Sequence, residues 1–148
     1  MRSNKNSIRL TTAAYRFNPT EFSHMQLRLA VTKGVKGADP VKGHTGKDDS
    51  AFQVWFTIRE KVTNGDRSIL DMNRDHIFLF GYYWGDPAEG EARKPGDIFE
   101  NWYSNKNIVV ATLPEAKQLL LNDQSMLGKP QNFDRSLAED LGRAFPDR

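Results

Sequence analysis

His76-Ile77-Phe78-Leu79-Phe80-Gly81-Tyr82-Tyr83-Trp84-Gly85-Asp86 is the longest apolar run in the chain and the densest in aromatic side chains. Between Ile77 and Trp84 it holds five aromatic residues, two aliphatics and one glycine. Aromatic and β-branched side chains suit a pleated, half-buried surface, so the run predicts a strand. It is far shorter than the roughly 20 apolar residues a membrane-spanning helix needs. Alternation places Ile77, Leu79, Gly81 and Tyr83 on one face and Phe78, Phe80, Tyr82 and Trp84 on the other. Both faces are apolar, which predicts a central strand covered on both sides. Gly81 interrupts the large side chains and predicts a bulge or a close approach by a neighbouring backbone.

Working outward, the flanks repeat the strand pattern. Phe22 to Val31 alternates, with Met25, Leu27, Leu29 and Val31 facing one way. Ala51 to Arg59 alternates as well: Phe52, Val54, Phe56 and Ile58 point to a core, and Gln53, Trp55, Thr57 and Arg59 point away. An outward tryptophan is uncommon, so Trp55 is expected to be markedly more exposed than its neighbours. Ser7 to Tyr15 alternates weakly, and Asn107 to Thr112 is a short apolar segment that predicts one strand. Asn18-Pro19-Thr20 carries turn chemistry, and Asn64-Gly65 is the strongest hairpin signal in the chain. Thr32 to Asp49 and Asp86 to Gly96 are rich in glycine, proline and charge and are expected to be loops. Gly128 to Asn132 reads the same way. Pro114 to Leu121 is open between a helix started by proline and a buried strand.

One helix is well signposted. Ser136-Leu137-Ala138-Glu139 has the spacing of a capping box, in which the serine hydroxyl accepts from the third amide. Leu137, Leu141 and Phe145 then share one face, and Pro146 ends the helix.

Composition bounds the remaining possibilities. The chain has 148 residues, enough for one domain with a real core. Lys and Arg number 21 against 19 acidic residues, too even a balance to suggest nucleic acid. Cysteine is absent, which excludes disulfides, thiolate zinc sites and thiol catalysis. Mean hydropathy is −0.66. No membrane span and no signal-peptide core are present in these residues. Many short strands, one capped helix and no alternation of strands with helices predict a mostly β protein. The expected architecture is an antiparallel β-sandwich, jelly-roll-like, with one C-terminal helix. The sequence offers about five or six strands where a jelly roll uses about eight, so residues 1–148 read as a single domain expected to lack terminal strands, with an open sheet edge suited to self-association.

The ordered set Phe17-Asn18-Pro19, Lys47-Asp48-Asp49-Ser50-Ala51, Tyr82-Tyr83-Trp84-Gly85 and Arg135-Ser136-Leu137-Ala138-Glu139-Asp140-Leu141-Gly142-Arg143-Ala144-Phe145 resembles the bacterial family known as domain of unknown function 3047. Here Lys47 stands between Gly46 and the two aspartates, and the strand that usually follows the family's helix is missing from this sequence. The resemblance implies a β-sandwich in an exported, periplasmic setting. It transfers no catalytic residue.

Candidate chemistry is sparse. Trp55, Tyr82, Trp84, Trp102 and Tyr103 are the candidate ligand-binding residues, because sugar rings present apolar C–H faces to aromatic planes. Tyr82 and Trp84 have core packing as the alternative reading. Asp48 and Asp49 are the candidate metal ligands, for a hard cation such as Ca²⁺, although the spacing of a calcium loop is absent. His24, His44 and His76 show no paired ligand spacing. Asp97 with Glu100, or Glu89 with Glu91, supply carboxylates for an enzyme. No nucleophile elbow or phosphate loop is present. These features point to a non-catalytic binding module for carbohydrate or cell-envelope material, with no cofactor. The alternatives are an enzyme using loop carboxylates on the same scaffold, and a structural or partner-binding protein.

Overall fold

A computed structural model of the chain describes residues 17–19, 21–35, 50–59, 77–85, 93–101, 107–108, 111–112, 115–122 and 124–148. The elements run β1 (His24–Leu29), β2 (Phe52–Arg59), β3 (Ile77–Trp84), β4 (Ile98–Glu100), β5 (Asn107–Ile108), β6 (Ala111–Thr112), β7 (Ala116–Asn122), β8 (Gln131–Ser136) and α1 (Leu137–Ala144). The fold is mostly β: a four-stranded sheet in the order β2-β3-β7-β4, a two-stranded sheet of β1 and β8, a small β5-β6 pair and one C-terminal helix. Met25 and Leu27 from β1 and Phe133 from β8 pack onto the aromatic face of the larger sheet, so the two sheets form a sandwich with the helix against the same core.

The aromatic stretch is the centre of this arrangement. Both of its faces are covered: Phe80 and Tyr82 are buried on one side, and Tyr83 on the other. On its first face Tyr82 meets Phe56 and Phe80 edge-on, at 6.1 and 5.2 Å between ring centroids. Phe78 meets Phe145 at 4.4 Å, which ties the end of the helix to the sheet. The close approach expected at Gly81 is present. A Cβ there would lie 2.8 Å from both the Val54 carbonyl oxygen and the Trp55 ring. The register shift falls elsewhere, between Tyr83 and Trp84 where β3 meets β7.

Several expectations are corrected. The sheet is not wholly antiparallel, because β3 and β7 run parallel, with Tyr82 opposite Leu119. A parallel neighbour requires a long crossover, and among the described residues the chain between β3 and β7 carries β4, β5 and β6. That pairing also resolves the ambiguous leucine run. Leu119, Leu120 and Leu121 are buried because β7 lies between β3 and β4, and a strand covered on both faces needs no alternation. The Asn107 to Thr112 segment is two short strands paired with each other, Asn107 with Thr112 and Ile108 with Ala111. β8 was invisible as a strand because Phe133 is its sole apolar residue. It pairs antiparallel with β1, Leu27 opposite Phe133 and Gln26 opposite Asp134. β4 is three residues of strand, too short to carry an alternation of its own. The Ser7–Tyr15 strand and the Asn64-Gly65 turn lie outside the described residues.

The turn at Asn18-Pro19 and the helix follow the sequence. The Asn18 carbonyl accepts from the amides of Glu21 and Phe22 at 3.0 Å. Ser136 is the N-cap of α1, its hydroxyl accepting from the Glu139 amide at 3.3 Å. Lys117 reaches from β7 and donates to the Ala144 carbonyl at 2.7 Å, a cation at the negative end of the helix. Ser136→Ala is expected to lower stability by about 1 kcal/mol, read as a shifted urea midpoint. An unchanged midpoint would mean that the cap contributes nothing.

Candidate functional site

Two of the polar side-chain groups among the described residues lie on opposite faces of the larger sheet. On the second face, the pairing register puts Trp55 of β2, Gly81 of β3, Gln118 of β7 and Phe99 of β4 in one row across the strands. Trp55 is half-buried and lies over Gly81, where any side chain would collide with its ring. Its indole N–H donates to Gln53 Oε1 at 2.8 Å. The same oxygen accepts from Gln118 Nε2 at 3.2 Å, and Gln118 Oε1 accepts from Asn101 Nδ2 at 2.8 Å. Gln118 and Asn101 are buried, so their amides are spent on this chain and act by fixing Gln53 and, through it, the indole. Phe99 closes the row, edge-on to Tyr83 at 5.8 Å and under the Arg93 guanidinium at 4.7 Å.

The first face holds a charged cluster. Asp140 of α1 is buried and accepts from the Tyr82 hydroxyl at 2.9 Å and from Arg135 Nε at 2.9 Å, both on Oδ2. Arg135 also donates to Oδ1, making a two-pronged pair, and Arg143 lies 3.5 Å from that oxygen. Burial pushes the Tyr82 phenol far above its ordinary range, and the adjacent Asp140 charge pushes it further. The hydrogen bonds to Asp140 hold Arg135 more firmly protonated than usual. The cluster joins Tyr82-Tyr83-Trp84-Gly85 to the Arg135–Phe145 segment, two of the four motifs that carry the resemblance noted from sequence. With the phenol held neutral and both oxygens of the carboxylate occupied, its chemistry is that of a latch between helix and sheet.

The candidates named from sequence separate accordingly. Tyr82 and Trp84 are core residues, the alternative open to them at the outset, and offer no ring face to a ligand. Trp84 packs edge-on against Phe133 at 6.1 Å. Trp55 lies on the face the alternation assigns it, while Phe52, Phe56 and Ile58 contact the core. The expected contrast in exposure is corrected: Trp55 is half-buried, as are Phe52, Val54, Phe56 and Ile58, and Thr57 is the exposed residue. An edge strand leaves its core face partly open, and Gly81 gives the indole a seat on the sheet. Trp102, Tyr103, Asp48 and Asp49 lie outside the described residues, as do His44, His76, Glu89 and Glu91. Among the described residues no group of three or more His, Asp or Glu is arranged to hold a metal ion. Asp97 accepts from the Lys94 amide at 2.7 Å and shapes its own turn. His24 is exposed beside Asp134 at 3.0 Å, and hydrogen bonds from His24 and Gln26 hold the Asp134 carboxyl below its usual range.

Sequence reasoning missed Gln53, Gln118, Asn101, Arg135 and Asp140. One signal for Gln118 was present: a lone amide inside Ala116-Lys117-Gln118-Leu119-Leu120-Leu121, where a buried strand tolerates a polar side chain only if it is hydrogen-bonded. No helix of the described residues is long and apolar enough to cross a membrane. Set against known proteins, the chain matches no family model, no curated protein and no solved structure, so the likeness to domain of unknown function 3047 rests on the ordered motifs alone.

Proposed function

We propose that the protein is a non-catalytic binding module for carbohydrate or cell-envelope glycan, with Trp55 as the stacking platform. The observation that carries this reading is the seating of Trp55: half-buried, laid over Gly81, with its indole N–H anchored on Gln53. A held ring loses little conformational freedom when a ligand stacks on it, so more of the contact energy appears as affinity. A sugar matches such a surface because its C–H face suits the indole and its hydroxyls suit an adjacent amide. The resemblance in motif order adds an exported, cell-envelope setting to the proposal.

The test is a glycan array probed with the full chain, followed by titration of the best ligand into the wild type and Trp55→Ala. Loss of a central aromatic anchor should weaken binding by about tenfold or more while the circular dichroism spectrum is retained. An array with no ligand, or equal affinity in the variant, would overturn this reading.

A further inference from the structure

The amide chain on the second face has a direction, and one residue imposes it. An indole N–H can only donate, so the Gln53 atom that meets Trp55 at 2.8 Å has to be its oxygen. Gln118 approaches that same oxygen at 3.2 Å and therefore turns its nitrogen to it. The Gln118 oxygen is then left for Asn101, which has to present nitrogen, at 2.8 Å. Each of these amides could be turned over by itself, yet a single donor sets all three in series. Gln53, Trp55 and Asn101 have other partners as well, and these leave the direction unchanged, because it follows from the indole alone. The chain crosses the whole sheet. Asn101 directly follows β4 at one edge, its backbone amide tied to the Ala116 carbonyl at 2.8 Å. Trp55 belongs to β2 at the other edge, about 14 Å away at ordinary strand spacing. β3 lies between them, and it places Gly81 in the row of Trp55 and Gln118, so no side chain separates β7 from β2 there. Asn101 and Gln118 are 4% and 0% exposed, so bulk water does not replace a partner that turns away.

We propose that Asn101 is a positioning residue for Trp55, acting through Gln118 and Gln53 from the opposite edge of the sheet. When position 101 presents an acceptor, Gln118 turns over to donate to it. The Gln118 oxygen then faces the Gln53 oxygen, acceptor against acceptor. Turning Gln53 relieves that contact and takes its oxygen from the indole N–H, so the ring loosens over Gly81. The two arrangements of the chain are discrete, which is what lets a change at one edge be felt at the other. The use of this device in ligand binding rests on the reading of Trp55 as the platform. Its hold on the indole is tested without ligand, so a glycan array that returns nothing would overturn the platform and leave the results below as expected.

The chain has three tryptophans, so nitrogen–proton NMR of the full chain gives three indole N–H signals, and Trp55→Phe identifies the one from Trp55. Asn101→Asp replaces the donor with an acceptor of the same shape, read at about pH 8, above the ordinary carboxyl range. Exchange of the Trp55 indole proton with water should become about tenfold faster, as expected for the loss of one hydrogen bond. Asn101→Ala removes the donor without supplying an acceptor. The indole then still directs Gln53 and Gln118, and its signal should keep the wild-type position and rate. A merely structural Asn101 would give the opposite order, because the truncation leaves the larger gap. An unchanged Trp55 signal in Asn101→Asp, or an equal change in Asn101→Ala, overturns the proposal. Trp55→Phe tests the chain from its other end and buries no charge, so it decides the matter if Asn101→Asp does not fold. With the one-way donor gone the direction is no longer fixed, and the Asn101 side-chain amide protons should shift and exchange faster. Asn101 signals identical to wild type would overturn the relay.

Discussion

Asp140→Ala is expected to lower the free energy of unfolding by about 3 kcal/mol, the low end of the range for breaking a buried ion pair. The carboxylate is almost wholly enclosed, whereas the Arg135 side chain keeps 29% of its surface in contact with water and can recover some hydration. Tyr82 cannot, because it is fully buried and its hydroxyl loses its acceptor. Removing all three polar groups together should cost much less. In Tyr82→Phe/Arg135→Met/Asp140→Leu no buried charge or donor is left unpaired, because Arg143, which loses Asp140, is exposed and still donates to the Gly96 carbonyl, and such replacements are often close to neutral. Urea unfolding of the single and triple variants checks this, and an unchanged midpoint for Asp140→Ala would sink the latch. Alkaline titration gives a second reading of the same cluster. Unfolded, Tyr82 releases its proton near its ordinary value of 10.0, whereas burial keeps it protonated in the fold. The folded state therefore binds more protons than the unfolded one as pH rises, and stability falls. The advantage of the wild type over Tyr82→Phe should shrink by about 1 kcal/mol between about pH 9 and about pH 11. A constant difference would mean that the phenol ionises in the fold.

Gly81→Val should destabilise by about 1–3 kcal/mol through overpacking. The first added carbon already falls 2.8 Å from the Val54 carbonyl oxygen and from the Trp55 ring. The ring can swing away, but the carbonyl belongs to the adjacent strand and cannot move without shifting β2. The two obstacles can be separated by a double-mutant cycle. Trp55→Ala relieves the contact with the ring and leaves the contact with the carbonyl, so Gly81→Val should cost less in that background yet still cost something. Equal costs in both backgrounds would show that Trp55 does not sit over the glycine. The result bears on the proposed function as well, because the same seating holds the indole that the proposal assigns to a ligand.

Some of this was legible in residues 1–148 and some was not, and the division is physical. Period-two alternation marked β1 and β2, because each has one face on a core and one away from it. Eight consecutive apolar residues marked β3, because no alternation survives when both faces are covered. Ser136 and Glu139 marked the start of α1, because a helix end satisfies its orphan amides with side chains three residues away. Gly81 marked a close backbone approach, because only hydrogen fits there. These are local constraints, written within a few residues of where they act. Strand pairing is not local. Gln131 to Ser136 is a strand because β1 supplies hydrogen-bond partners more than a hundred residues away, and its own residues carry almost no apolar signal. Leu119 to Leu121 is a strand and not a helix because β3 and β4 flank it. Gln53, Gln118 and Asn101 become a network, and Tyr82, Arg135 and Asp140 a latch, only when register brings distant segments into hydrogen-bonding reach. The sequence by itself determined which segments must be buried and where the helix begins. Tertiary structure decided which buried segment lies beside which, because backbone pairing is nearly indifferent to side-chain identity and the choice is made by the packing of the whole core.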